Sequence, residues 1–214
     1  MAVKTDRKML TLWIDGTEVQ VPEGSTILQA AEKAGVKIPT LCYHPDLSIE
    51  GACRVCIVQV EGMPKPVASC AYPASDGMKV RTHSPELRGM RRDIVELLLD
   101  NHPQDCQTCV RNTNCELQRL AHDLGVRERL YEGERKQFDL DLSSPALIRN
   151  SEKCILCGRC VRVCAEVQGV YNLSQQHRGA DMVVTPAHGM DMVDSVCIQC
   201  GQCVNVCPVA SFLE

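Results

Sequence analysis

The residues best able to do chemistry in this chain are its thiols. Fifteen of 214 residues are Cys, in three tightly spaced groups. Cys42, Cys53, Cys56 and Cys70 are separated by 10, 2 and 13 residues. Cys106, Cys109 and Cys115 follow His102 in "HPQDCQTCVRNTNC", with intervals of 3, 2 and 5. The segments "CILCGRCVRVCA" and "CIQCGQCVNVCP" set Cys154, Cys157, Cys160 and Cys164 in register with Cys197, Cys200, Cys203 and Cys207. Thiolates are soft ligands for iron and zinc. The N-terminal "MAVKTDRKMLTLWIDG" has no apolar stretch leading to a small-residue cleavage site, and no run approaches the ~18 apolar residues of a membrane span. The chain is therefore expected to be cytoplasmic, where clustered thiols serve as metal ligands or catalytic groups more than as disulfides. The odd number of Cys points the same way.

The duplicated segment is the strongest signal, since an internal repeat implies two equivalent sites. Each half offers three thiolates from one loop, and the fourth Cys opens the following helix, aimed away from them. In two-cluster ferredoxins that fourth Cys ligates the other cluster. The expected sets are Cys154, Cys157, Cys160 with Cys207, and Cys164 with Cys197, Cys200 and Cys203. Gly158 and Gly201 suit a loop that bends closely around iron and sulfide. The alternative is a pair of zinc ribbons, but these use two C-x2-C pairs across a spacer rather than four Cys in eleven residues.

Cys42, Cys53, Cys56 and Cys70 share the C-x2-C and distant fourth Cys of plant-type [2Fe-2S] ferredoxins, although the first interval is longer. In "GACRVC", Gly51 and Ala52 leave room for backbone N–H groups to approach sulfur. A four-Cys zinc site is the alternative here. With twelve Cys assigned, Cys106, Cys109 and Cys115 remain, and His102 completes four sets of four. An imidazole in place of a thiolate removes one negative charge from the site and is expected to raise its reduction potential, as in Rieske centres.

The elements that must position these groups are legible. "TLWIDGTEVQV" reads as two strands about an Asp15-Gly16 hairpin. "TILQAAEKAG" reads as a helix with Thr26 and Gln29 as a capping box and Gly35 as its stop. Strand, turn, strand, helix suggests a β-grasp. "SPELRGMRRDIVELLLDNH" reads as an amphipathic helix with Ser84 as cap, Pro85 at its first position and a stripe of Leu87, Met90, Ile94, Leu97 and Leu98. It delivers His102 to the three-Cys loop. "CELQRLAHDLG" reads as a second helix that buries Leu117, Leu120, Ala121 and Leu124 and closes at Gly125. Between Tyr131 and Ser144 the chain is a polar connection with one edge strand around Phe138, Leu140 and Leu142.

Composition is that of a globular chain, 44% apolar and 23% charged, but only 3% aromatic. Its formal charge of -4 excludes the basic stripe that nucleic acid needs. Arg88, Arg91 and Arg92 read as the solvated side of their helix. His44, His83, His122, His177 and His188 read as surface or packing residues, and the eight Met as core filler.

Taken in order, the β-grasp cysteines, "HPQDCQTCVRNTNC" and "CILCGRCVRVC…CIQCGQCVNVCP" resemble the N-terminal iron–sulfur region shared by several redox proteins. These are the 75 kDa-type subunit of NADH dehydrogenase, [FeFe]-hydrogenase, NAD-linked formate dehydrogenase and the small diaphorase-side subunit of NAD-reducing [NiFe]-hydrogenases. The resemblance implies an α+β fold in three parts: residues 1–79 a [2Fe-2S] β-grasp domain, 80–141 a small helical domain with a one-His, three-Cys [4Fe-4S] centre and its connection, and 142–214 a two-cluster bacterial ferredoxin-like domain. It implies one [2Fe-2S] and three [4Fe-4S] clusters forming a conducting chain, with the one-His centre on His102. "GACRVC" and "SCAYP" look like the hydrogenase branch; "CPVASFLE" departs from the small-residue pattern after the last Cys.

The sequence stops at Glu214, seven residues after Cys207, where larger relatives begin a catalytic domain, and its thiols are fully used in the four sets. The expectation is a non-catalytic electron-transfer subunit of a soluble NAD(P)-linked hydrogenase. Its implied partners are a flavin-containing NAD(P)H-oxidising subunit and a catalytic hydrogenase subunit, with room for ferredoxin as a third redox partner in a bifurcating complex. Two alternatives stay open: the N-terminal fragment of an [FeFe]-hydrogenase, and the equivalent subunit of a formate dehydrogenase. A zinc-stabilised assembly protein is a third reading that the spacing disfavours.

Overall fold

A computed structural model of the chain describes residues 8–128, 130, 131, 133, 135 and 137–214. These fall into two compact units, Met1–Thr40 with Cys53–Arg91, and Leu41–Ala52 with Arg92–Glu214. The expected edge strand lies within the described residues, but part of the connection before it, at positions 132, 134 and 136, does not.

The first unit is built on a hairpin of β1 (Met9–Ile14) and β2 (Thr17–Pro22), turned at Asp15 and Gly16. Both turn residues have positive φ, 48° and 86°, the backbone twist that matches a tight hairpin and that Asp-Gly adopts readily. Strand alternation sends Leu10, Leu12 and Ile14 inward with Val19 and Val21. Helix α1 (Ile27–Lys33) starts at Thr26, whose hydroxyl accepts from Gln29 N–H while the Gln29 side chain accepts from Thr26 N–H. It buries Ile27, Leu28, Ala30 and Ala31.

Strands β3 (Ile57–Val60), β4 (Val67–Ala68) and β5 (Lys79–Arg81) complete a five-stranded sheet in the order β2-β1-β5-β3-β4, with β1 and β5 parallel. A hairpin, a helix and a return strand laid parallel to the first make the β-grasp expected from the sequence. Asp15 also accepts from Thr82 N–H at 2.7 Å, which ties the hairpin to the end of β5.

Helix α2 (Pro85–Asp100) follows a Ser84 hydroxyl that accepts from Leu87 N–H. Its buried positions differ from the expected stripe: Leu97 is 55% exposed, whereas Leu87, Arg91 and Val95, at intervals of four, are buried. Arg91 is therefore no part of a solvated face. Its Nη2 donates to Ile57 O at 2.6 Å and to Thr82 O at 3.0 Å, closing the ends of β3 and β5 from inside the unit.

In the second unit, α3 (Glu116–Leu124) buries Leu117, Leu120, Ala121 and Leu124 and ends at left-handed Gly125, as the sequence indicates. Strand β6 (Leu140–Asp141) is the edge of a small sheet with β7 (Ile148–Asn150), and β10 (Phe212–Leu213) lies on the other side. The expected apolar alternation is inverted there, with Leu140 and Leu142 exposed and Asp141 buried. Asp141 accepts from Arg149 Nη2 and Nε at 3.1 and 3.2 Å, and from Met192 N–H at 3.0 Å. Burial opposes its charge, but these donors and those of Ser143 hold the carboxyl below its ordinary range.

The duplicated segments form α4 (Arg159–Arg162), which widens into a π turn over Val163–Val167, and α5 (Gln202–Val206). A hairpin of β8 (Ser174–Gln176) and β9 (Val183–Thr185) lies between them. Residues 92–141 group with the duplicated part. Glu116 ties the two together: its N–H donates to Pro208 O at 2.9 Å and its carboxylate takes both ends of the Arg159 guanidinium at 2.7 and 2.9 Å.

Arg91→Ala removes the donor from two inward-facing carbonyls at once. The expected cost is about 2 kcal/mol, read as a fall in Tm of about 4–8 °C in an anaerobic thermal melt. An unchanged Tm contradicts this account of the unit.

Candidate metal centres

The two repeats place their first three cysteines in the same local geometry. In each, the residue two after the first Cys has a left-handed backbone, Leu156 at φ 54° and Gln199 at φ 56°. That conformation turns its N–H back onto sulfur: Leu156 N–H donates to Cys154 Sγ and Gln199 N–H to Cys197 Sγ, each at 3.4 Å. A non-glycine residue held there marks a site that over-determines its backbone. Gly158 and Gly201, at φ 70° and 71°, then start α4 and α5. At Gly158 a Cβ would stand 3.2 Å from Glu50 Oε2, so the glycine also leaves space for that carboxylate.

The fourth cysteines differ between repeats. Cys164 lies in the π turn and its sulfur accepts from Asn172 N–H at 3.3 Å. Cys207 ends α5 in an extended conformation and is buried. It is brought to the first loop: Cys154 and Cys207 both act electrostatically on Cys157, and Cys154, Cys157 and Cys207 all act on Cys160. Burial pushes the Cys157 thiol up to about 12, and the neighbouring sulfurs add to that against the opposing Arg159. Burial also holds the Cys160 thiol well above its ordinary range. In the second loop burial pushes Cys203 up to about 12, with Cys197 and Cys200 adding to it.

The His102 loop hangs between α2 and α3. Burial raises the Cys115 thiol, and Cys106 and Cys109 add to the shift. His102 is 7% exposed, and its Nδ1 is buried with no hydrogen-bond partner among the described residues. Burial, reinforced by Lys153, lowers its pKa to about 4 against the opposing Asp105. At neutral pH the ring is uncharged, and an uncharged imidazole with a lone pair to give is the form that ligates metal. Sequence reasoning missed Lys153: its Nζ donates to Asp105 Oδ2 at 2.8 Å and stands against Cys109, one residue before Cys154.

In the first unit Cys53, Cys56 and Cys70 are placed at the end of the β-grasp sheet, with Cys56 and Cys70 buried and Cys53 half-buried. Arg54, between the first two, has φ 60°. Fully buried Ser69 donates from its hydroxyl to Cys56 O at 2.8 Å. Cys42 is buried on the 41–52 segment, grouped with the second unit. His44 is half-buried and its Nδ1 accepts from Asp46 N–H at 3.3 Å, a loop contact in keeping with a non-ligand reading.

Comparison with known proteins places these loops in a family. A 2Fe-2S iron-sulfur cluster binding domain matches residues 7–85, the NADH-ubiquinone oxidoreductase-G iron-sulfur binding region matches 91–129, and a 4Fe-4S dicluster domain matches 153–211. The NADP-reducing hydrogenase subunit HndD of Solidesulfovibrio fructosivorans is 47% identical over 96% of this chain and 36% of its own length. The mitochondrial NADH dehydrogenase [ubiquinone] iron-sulfur protein 1 of Solanum tuberosum is 45% identical over 80% of this chain and 23% of its own. The chain thus spans only about a third or a quarter of these curated relatives. A chain of the crystal structure of NAD+-reducing [NiFe]-hydrogenase in the H2-reduced state superposes with a TM-score of 0.88 at 31% identity, over 95% of this chain and 86% of that one. The chain belongs to the iron–sulfur family that comprises the N-terminal region of the NADH-quinone oxidoreductase 75 kDa-type subunit and its counterparts in NAD(P)-linked hydrogenases.

Proposed function

We propose that this chain is an electron-transfer subunit with four iron–sulfur centres in a cytoplasmic complex. It would carry electrons between a flavin-containing NAD(P)H-oxidising subunit and a catalytic hydrogenase subunit. The observation that carries the reading is the succession of three iron–sulfur regions along one chain, which aligns almost end to end with a chain of an NAD+-reducing hydrogenase. Among the described residues no helix is long and apolar enough to cross a membrane.

In this reading a [2Fe-2S] cluster takes Cys42, Cys53, Cys56 and Cys70. Three [4Fe-4S] clusters take His102, Cys106, Cys109 and Cys115; Cys154, Cys157, Cys160 and Cys207; and Cys164, Cys197, Cys200 and Cys203. The clusters supply one-electron carriers when bound. The chain contributes bent loops that aim N–H groups at sulfur, a neutral imidazole and a buried ammonium at Lys153. Among the described residues no three His, Cys, Asp or Glu side chains close around one point as a single ion requires. The similarity to only 36% of a longer hydrogenase subunit supports a second reading, the N-terminal region of such a chain. An open reading frame beyond Glu214 selects it.

Anaerobically purified protein is expected to carry about 14 iron atoms per chain; a colourless, iron-free monomer overturns the proposal. His102→Cys adds a negative ligand and is expected to lower the midpoint of one [4Fe-4S] signal, leaving iron content unchanged. An unmoved or higher midpoint removes His102 from the ligand set.

Ligation needs thiolates, and burial holds Cys157, Cys160 and Cys203 as thiols. A raised thiol pKa means a proton must leave on loading, so loading releases protons and strengthens as pH rises. Reconstitution of iron-free chain in weak buffer is expected to acidify the solution, with apparent affinity climbing between about pH 7 and 9. Loading without proton release contradicts it.

A further inference from the structure

Arg162 is 6% exposed. Its Nη2 donates to Cys42 O at 2.6 Å, 120 residues away in sequence, and to Cys157 O at 3.3 Å. Its Nη1 donates to Ser48 O. Its Nε lies 3.2 Å from Glu50 Oε2 but has no aligned hydrogen-bond partner, so Glu50 balances the charge without competing for the donors that face the carbonyls. One nitrogen thus bridges the main chain of Cys42 and Cys157, and the two carbonyls can stand no further apart than its two bonds laid end to end.

Arg111 makes a single contact of the same kind, to one cysteine carbonyl. Its peptide lies between Cys109 and Cys115, and its Nη2 donates to Cys207 O at 3.3 Å, 96 residues away. Cys157 and Cys207 belong to the same set, while Cys42 and the Cys109–Cys115 loop belong to two others. The guanidinium suits this role because it offers several donors in a rigid plane and stays charged when buried; a lysine ammonium on a flexible stem does not hold two acceptors in fixed register.

Resting on the cluster assignment above, we propose that Arg162 and Arg111 are positioning residues that clip the cysteine main chain of the Cys154–Cys157–Cys160–Cys207 centre to that of two neighbouring centres. Arg162 joins it to the Cys42 centre and Arg111 to the His102 centre. Each clip holds the main chain of one cysteine set against a cysteine segment of another and places positive charge beside both. A positive charge favours the added electron, so loss of a clip lowers the midpoints of the two centres it joins and leaves the others in place. The Cys164–Cys197–Cys200–Cys203 centre receives neither arginine.

The test is a redox titration followed by electron paramagnetic resonance on the anaerobically purified chain in its complex, with wild type, Arg162→Gln and Arg111→Gln. Arg162→Gln is expected to lower the midpoints of the [2Fe-2S] signal and one [4Fe-4S] signal, changing the reduced-to-oxidised ratio at fixed potential by about tenfold, or about 59 mV. Arg111→Gln is expected to move that same [4Fe-4S] signal together with the one that His102→Cys perturbs, and not the [2Fe-2S] signal. Equal shifts in all four centres, or no shift in fully loaded protein, overturn the clips. If Arg162→Gln does not load iron, Arg162→Lys keeps the charge but not the grip on two carbonyls: both midpoints are expected to hold while the spin–spin broadening between the same two signals changes, and unchanged broadening overturns the clip. A wild-type protein without a [2Fe-2S] signal would refute the cluster assignment instead, before any variant is compared.

Discussion

Four sulfurs of the second unit's repeats are buried where water cannot stabilise their charge, and the unit is organised around that constraint. Cys157, Cys160, Cys203 and Cys207 are each less than 9% exposed. Four thiolates together in such a place repel one another and lose hydration, and burial alone accounts for most of the rise in the Cys157 and Cys160 pKa. Two structural answers are visible. Left-handed Leu156 and Gln199 turn N–H dipoles onto sulfur, and buried Arg159 and Arg162 bring positive charge to the helix that follows the first loop.

The cations are themselves costly to bury, and each is balanced. Arg159 meets Glu116, Arg162 approaches Glu50, and Lys153 meets Asp105. A buried ion pair need not add net stability, so these pairs are better understood as fixing position. Glu116 directly follows Cys115, and Lys153 directly precedes Cys154. The pairs therefore hold the ends of the cysteine loops. The same logic explains Asp141 and Arg149, which join β6 to β7 where the apolar alternation of Leu140 and Leu142 would suggest the opposite face.

What could be read from the sequence was local. The Asp15-Gly16 turn, the Thr26–Gln29 box, α3 with its left-handed Gly125 and the equivalence of the two repeats all depend on residues a few positions apart, and spacing alone specifies them. Arg91, Arg111, Arg162 and Lys153 were not legible, because charge in a helix or loop suggests solvent and each has an acceptor between 9 and 120 residues away. Arg91 shows the mechanism of the error. Its position on α2 follows the same interval of four as Leu87 and Val95, one residue beyond Met90 and Ile94, so a stripe drawn through the apolar side chains misses the buried row. His102 stands out by counting alone, since fifteen thiols leave one place vacant in four sets of four; its unbonded Nδ1 is a fact only coordinates supply.

The repeats carry the argument one step further. The loops of their first three cysteines agree within 2° in φ at the left-handed residue and at the glycine, and in the 3.4 Å N–H to sulfur distance, so those loops do not distinguish them. Their surroundings do. Cys157 and Cys160 are buried, with Arg159 and Arg162 beside them, whereas Cys200 is exposed and the neighbouring Val196 and Ile198 are 69% and 60% exposed. Solvent access and nearby charge are two of the levers that set the potential of an iron–sulfur group. A duplicated ligand motif has thus been placed in two electrostatic settings, and the difference resides in residues outside the motif, where neither the spacing of the cysteines nor the symmetry of the repeat reaches.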